Sequence, residues 1–331
     1  MRLRRAAVVG AGAWGTSLAR LAALNGNDVT LWTRDAAHAA ELAADRENRR
    51  RLPGVPLPAG VAPTSDLAAV AAADLCILAV PAQSVAGLVG ALGAHLRVNV
   101  PVVIAAKGFD AASGRTLGGI VSGAIPASPP LVLSGPSFAE DVARDLPTAV
   151  TLAGRDDTSA TAALDVLARP TFRIYLTDDV AGTETGGAVK NVLAIAAGVV
   201  EGRGLGASAR AALIARGFAE LGRYAEARGG RRETVAGLSG LGDLVLTCSS
   251  AASRNFSFGI ALGRGASPDE ARAAARGVVE GASTAPVVVA DARARGIEMP
   301  ISAAVAGVVG GTLSIDAAIE GLLARPLRRE G

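Results

Sequence analysis

Lys190 lies inside GGAVKNVLAIAAG (186–198), a stretch of small and apolar residues with helical spacing. The chain has only one other lysine, Lys107, and the remaining 31 of its 33 basic residues are arginine. Arginine keeps its charge at any working pH, whereas lysine is a compact ammonium that loses its proton readily when buried. A buried lysine beside a second cation is therefore suited to general acid/base work. The bland alternative is a surface lysine whose stem snorkels over apolar neighbours. Gly186, Gly187 and Ala194 stand at i−4, i−3 and i+4, on the helical face of Lys190. These small neighbours predict a hollow above the ammonium in which a ligand could lie. Lys107 ends the apolar run PVVIAAK (101–107), a position at the carboxyl end of a strand, where open α/β sheets bind ligands.

Two more segments carry polar chemistry. LSGPSFAED (133–141) places Gly, Pro and Ser just past a strand. GLSGLGDLVLTCSSAASRNFSFG (237–259) sets Asp243 between a glycine-rich turn and an apolar run. Its Ser253, Arg254 and Asn255 offer a hydroxyl, a guanidinium and an amide at a helix start, a donor set suited to phosphate. A plain helix N-cap explains the same residues equally well.

VVGAGAWG (8–15) supplies G-x-G-x-x-G at Gly10, Gly12 and Gly15. The motif closes a strand and opens a helix, and the next strand ends at Arg34, 24 residues after Gly10. That context is what a dinucleotide site requires. Gly10 permits the turn, Gly12 lets the backbone approach the pyrophosphate, and Gly15 lets helix and strand pack closely. Ala13 and Trp14 open the helix whose N-terminus receives the phosphates. Arg34 at the end of the second strand suits a 2′-phosphate and favours NADP, while the adjacent Asp35 keeps NAD available.

These residues need elements to hold them. Strands are predicted at 6–10, 28–34, 74–80, 101–107, 131–135, 149–154 and 172–177, with helical stretches between them. The alternation predicts a doubly wound α/β domain over 1–180. Strand signals then stop, and 181–331 reads as an all-helical domain. ENRRRLPGVPLP (47–58) reads as a proline-rich loop or lid. Residues 299–315 carry no charge, but Pro300 and several Gly and Ser favour a buried helix over a membrane span.

Composition narrows the function classes. The formal charge is +3 among 331 residues, and no basic block exceeds Arg49–Arg51, so no nucleic-acid stripe is expected. Cys76 and Cys248 read as reduced, buried thiols of a cytoplasmic protein. The only histidines, His38 and His95, sit in helical surroundings, and no metal site is expected. The basic start MRLRR resembles a signal peptide, but the apolar run after it is short and broken by glycine. The apolar helical half is compatible with a homodimer.

GAGAWGTSLA, LPGVPLP, AAKGFD, LSGPSFA, GGAVKNVLAIAAG, GLSGLGDLVLTC, SRN and GVVEG occur here in one order. That series resembles the bacterial-type NAD(P)-dependent glycerol-3-phosphate dehydrogenases, from about residue 7 to beyond 280. The resemblance implies a Rossmann-like domain followed by a helical domain of the 6-phosphogluconate dehydrogenase-like kind. It implies reversible reduction of dihydroxyacetone phosphate to sn-glycerol 3-phosphate, which feeds phospholipid synthesis, with NADP preferred or NAD. On this resemblance Lys190 is the proton-transferring lysine, and Lys107 touches cofactor and substrate. Gly135, Ser137 and Asp243 are substrate contacts, and Ala139 is a cofactor contact. Ser253, Arg254 and Asn255 face the phosphate, Arg254 also meeting the cofactor, and Val278 and Glu280 are cofactor contacts. Family members often carry Ser where this chain has Ala13, which removes one side-chain bond to the cofactor and leaves the backbone. Two rival readings are a reductase of 2-keto acids with the same two-domain build, and a cofactor-binding sensor without turnover. A carboxylate substrate calls for an arginine clamp, and a sensor has no use for a proton donor.

Overall fold

The computed structural model describes residues 4–275 and 277–326. The first three residues of the basic start and the last five of the predicted second domain lie outside them, as does Arg276. Ten strands occur among the described residues: β1 (Arg5–Val9), β2 (Asp28–Trp32), β3 (Glu47–Asn48), β4 (Leu52–Pro56), β5 (Val61–Thr64), β6 (Leu75–Leu78), β7 (Val102–Ile104), β8 (Pro130–Ser134), β9 (Thr148–Ala153) and β10 (Phe172–Thr177). Eight form one sheet in the order β10-β9-β8-β7-β6-β1-β2-β5.

From β5 to β8 all neighbours are parallel. The order reverses between β1 and β6, the switch point at which doubly wound sheets bind ligands. Helices α1 (Ala13–Leu24), α2 (Ala36–Asp45), α3 (Ala82–His95), α4 (Leu117–Ala124), α5 (Ala139–Ala143) and α6 (Asp157–Leu167) connect the strands. One face of the sheet packs Leu18, Leu21 and Ala22 of α1 on Val8, Leu31 and Ile77; the other packs Val85, Val89 and Leu92 of α3 on Val9, Cys76 and Ile104. Burial on both faces is why these strands are continuous apolar runs rather than alternating ones.

Three features differ from the sequence expectations. β9 pairs antiparallel with β8, so β9 and β10 run against the rest of the sheet. The connection from β8 contains only the five-residue α5, too short for a crossover back along the sheet. Segment 47–58 is not a plain loop: it contains the antiparallel pair β3–β4. β5, with Pro63 inside it, carried no strand signal; it sits at the sheet edge, where proline is tolerated.

After β10 the described chain is helical: α7 (Val180–Gly202), α8 (Gly206–Ala227), α9 (Arg232–Ala236), α10 (Asp243–Cys248), α11 (Arg254–Gly263), α12 (Pro268–Ala274), α13 (Glu280–Ala294), α14 (Pro300–Val309) and α15 (Ile315–Leu323). α7 is the axis of this part. Asp179 caps it by accepting from Gly182 N at 2.8 Å, and nearly every residue from Gly182 to Val200 is buried. A helix buried all round needs apolar or small residues on every face, as this segment has. α11 crosses it so closely that a Cβ on Gly198 would lie 2.1 Å from Phe256 O and 2.9 Å from the Gly259 Cα. Residues 299–315 form α14 and then an exposed turn, and no helix among the described residues is long and apolar enough to cross a membrane.

Candidate active site

The glycine-rich turn has the geometry its motif predicts. Gly10 has φ +118°, and a Cβ there would strike the Ala79 backbone at 2.8 Å. A Cβ on Gly15 would lie 1.8 Å from Gly10 O, whereas one on Gly12 would meet nothing within 4 Å. Two positions are thus closed by protein, and the third is open to a ligand. The α1 N-terminus, with Ala13 and Trp14 as its first residues, has no side-chain cap on Gly12, so its N–H groups remain for an anion. The Trp14 indole N–H is buried without a hydrogen-bond partner among the described residues. Ala139 opens α5 beside this turn, its carbonyl accepting from Ser17 Oγ at 2.7 Å.

Asn48 of β3 holds the turn in place. Its Nδ2 donates to Ala11 O at 3.0 Å and to Thr16 Oγ1 at 2.7 Å, and its Oδ1 meets His38 Nε2 at 3.1 Å. Sequence reasoning missed Asn48, because an amide in an Arg-rich stretch carries no signal of a contact 37 residues away. Asn48→Ala would leave Ala11 O and the Thr16 hydroxyl short of a donor. It is expected to weaken NADPH binding about tenfold in a fluorescence titration, equivalent to about one hydrogen bond.

Arg34 is exposed past the end of β2. Asp35 beside it is committed: its Oδ1 accepts from Ala37 N and His38 N at the start of α2, and its Oδ2 pairs with Arg50 at 3.1 Å. Those backbone N–H groups hold the Asp35 carboxyl below its usual range. The end of β2 is thereby left with a guanidinium that has no partner among the described residues and an acid already engaged.

Lys107, Lys190 and Asp243 meet at the carboxyl ends of β7 and β8. Lys190 Nζ donates to Asp243 Oδ1 at 2.7 Å and to Thr247 Oγ1 at 2.9 Å. Lys107 Nζ donates to Asp243 Oδ2 at 2.6 Å and to Gly135 O at 3.0 Å. Each ammonium keeps a third N–H. Asp243 is 1% exposed and Lys190 7%. Burial lowers Lys190 to about 8, with Lys107 acting in the same direction and Asp243 opposing. Burial alone would raise Asp243, but the two lysines hold it below its usual value. The cluster is therefore one carboxylate bridging two cations, with one positive charge in excess.

The hollow expected above Lys190 is not formed by its glycines. A Cβ on Gly186 would lie 2.6 Å from Ser239 O, and one on Gly187 would lie 2.8 Å from Ser134 Oγ. The small residues let the turn at Leu238–Gly242 and the end of β8 press against α7, which is what brings Asp243 to the lysine. Helical periodicity identified the face but not the backbone packed on it. Thr247 was also missed, although its i+4 spacing from Asp243 puts both on one face of α10.

Neighbouring groups are tied into the cluster. Ser137 Oγ donates to Gly135 O at 3.0 Å. Asn255 Nδ2 donates to Asn191 Oδ1, next to Lys190, and its Oδ1 accepts from Gly281 N, both at 2.9 Å. Ser253 caps α11 by accepting from Phe256 N at 3.2 Å, leaving its O–H free to donate. The exposed Arg254 lies against Gly277, and Val278 is 40% exposed. Glu280 accepts from Ala82 N at 3.1 Å through Oε1, and its Oε2 has no protein partner. Two residues after Lys107, Phe109 is buried in the helical core with the Arg228 guanidinium 4.7 Å from its ring centre. Gln83 clamps the same loop, donating to Phe109 O and accepting from Ala111 N, both at 2.8 Å.

The family model of the NAD-dependent glycerol-3-phosphate dehydrogenase N-terminus matches residues 5–160, and that of the C-terminus matches 179–320. The chain is 57% identical over 324 residues to the Methylobacterium radiotolerans protein named glycerol-3-phosphate dehydrogenase [NAD(P)+], covering 98% of this chain and 97% of that one. It is 54% identical over 327 residues to the protein of the same name from Azorhizobium caulinodans, with 98% of each covered. The crystal structure of glycerol-3-phosphate dehydrogenase from Coxiella burnetii superposes with a TM-score of 0.94 at 38% identity, over 98% of this chain and 99% of that one.

Proposed function

Since the chain belongs to the NAD-dependent glycerol-3-phosphate dehydrogenase family, we propose that the Lys107–Asp243–Lys190 cluster performs its reaction. That reaction is the reversible, NAD(P)H-dependent reduction of dihydroxyacetone phosphate to sn-glycerol 3-phosphate. The observation that carries the assignment is a single buried carboxylate holding two ammonium groups, each with an N–H to spare.

The glycine turn suits a dinucleotide, since a Cβ on Gly12 would face open space while Gly10 and Gly15 are packed shut. Gly10, Gly12, Ala13, Trp14 and Gly15 would hold the pyrophosphate, and Arg34 the 2′-phosphate of NADP, the preferred form. Ala139, Arg254, Val278 and Glu280 would complete the cofactor side. When bound, the nicotinamide supplies or takes up the hydride at C2 of the substrate.

This chain's residues do the rest. Lys190 donates its third N–H to the ketone oxygen and then transfers that proton as C2 is reduced. Lys107 faces the same oxygen, so the surplus positive charge of the cluster stabilises the developing alkoxide. Asp243 fixes both ammonium groups and stays ionised between them. Ser253, Arg254 and Asn255 bind the phosphate, with Gly135 and Ser137 beside the substrate, which fixes the orientation of C2. The division at residue 180 separates a cofactor domain from a substrate domain. A cytoplasmic homodimer that supplies phospholipid synthesis completes the reading.

Following NADPH and NADH oxidation with dihydroxyacetone phosphate, dihydroxyacetone and 2-keto acids tests the assignment. Turnover at least about a hundredfold higher in kcat/KM with the phosphorylated ketone is expected, since a charge-assisted phosphate anchor contributes about 3 kcal/mol. Equal rates without the phosphate, or preference for a 2-keto acid, would remove it.

A further inference from the structure

Beside Lys107, the carboxyl ends of β7 and β8 and the start of α7 line a half-open pocket with room of about 10 Å3. Lys107, Gly108, Ser134, Thr183, Glu184 and Gly187 are among its lining residues. That is the room one water molecule occupies. Ser134 is 1% exposed and Thr183 fully buried, and neither hydroxyl has a hydrogen-bond partner among the described residues. Two buried hydroxyls without partners on one small cavity are uncommon, because each loses its bonds to solvent without replacement. Thr183 and Gly187 are four residues apart and so share a face of α7. A Cβ on Gly187 would sit 2.8 Å from Ser134 Oγ, so a side chain there would press on that hydroxyl. The Glu184 carboxyl accepts from Gly118 N at 2.7 Å, and its enclosure raises it above the usual carboxylate range.

We infer that this cavity binds one water molecule held by Ser134, Thr183 and Glu184, and that these are positioning residues for the two lysines. Ser134 precedes Gly135, whose carbonyl holds Lys107 Nζ. Thr183 and Glu184 lie on α7, the helix that carries Lys190. The water joins the two supports and sets their separation, so its loss shifts one ammonium relative to the other. Glu184 acts through hydrogen bonds of the kind it makes to Gly118 N, which a glutamine side chain can also make. The inference rests on the lysines acting as proposed above.

The test pairs a high-resolution crystal structure with kinetics of four variants. A single water peak within hydrogen-bond distance of Ser134 Oγ and Thr183 Oγ1 is expected. Thr183→Val, which keeps the shape and removes the hydroxyl, is expected to lower kcat about tenfold while KM for both substrates stays within about twofold. Thr183→Ser restores kcat, as does Glu184→Gln relative to Glu184→Leu. Loss of thermal stability with unchanged kcat, equal damage from Ser and Val at 183, or an empty cavity in the crystal would each overturn it. Were the wild-type enzyme inactive on dihydroxyacetone phosphate, the proposed function would fall while the water peak would still be decided by the crystal alone.

Discussion

Lys190→Arg is expected to lower turnover about a thousandfold with little change in KM, the middle of the range attributed to general acid–base catalysis. The substitution keeps a positive charge in the same helix but removes a proton that can leave. Arginine does not titrate at working pH, whereas Lys190 is lowered to about 8 by burial and by Lys107. The pH profile gives the sign. On the proposed mechanism reduction of the ketone uses the ammonium, so its kcat should be level below about 8 and fall as the proton is lost above it. Oxidation of the alcohol requires the free amine and rises through the same range. The arginine variant should lose both limbs together with its rate. Lys190→Ala should be as slow, and partly restored by a small primary amine that can occupy the vacated space. Wild-type turnover in the arginine variant, or a limb near 8 that survives it, would sink the proton-transfer role. The alternative that Lys190 merely binds the substrate predicts instead a rise in KM with kcat retained.

Much of this candidate site is legible in the sequence. The lysine count singled out Lys190 and Lys107, and the strand-to-helix context of Gly10, Gly12 and Gly15 implied a turn whose packing the structure reproduces. What was not legible depended on which backbone lies against which face. In the sequence the glycines beside Lys190 imply open space, yet they are closed by Ser239 O and Ser134 Oγ. No local pattern links Asn48 to Ala11, or Phe109 to the helical core, because those contacts are fixed by tertiary packing. The reversal of β9 was hidden for a related reason: a buried strand is apolar whichever way it runs, and only the short α5 bears on its direction.

Asp243→Asn separates the electrostatic role of this residue from its shape. The amide fills the same volume and still accepts from one lysine. What disappears is the negative charge between two ammonium groups that are both largely withdrawn from water. Removing one partner of a buried ion pair costs about 3–5 kcal/mol, chiefly because the remaining charge is left uncompensated. A loss of about 3 kcal/mol in denaturant unfolding is therefore expected at neutral pH. Activity falls further than stability alone explains. Asp243 opposes the burial that lowers Lys190, so without it the lysine loses its proton more easily. The descending limb of the reduction profile should move to lower pH, and turnover at neutral pH should fall about a hundredfold, the lower end for a lost general acid. Adding Lys107→Met to Asp243→Asn removes the unpaired second cation. This double variant should recover most of the lost stability, since one neutral and one charged group repel less than two ammonium groups. It should recover little turnover, because the charge that Lys107 brings to the developing alkoxide goes with it. If the pair of substitutions instead loses stability additively, the two lysines are not coupled through Asp243, and the cluster is a set of separate contacts.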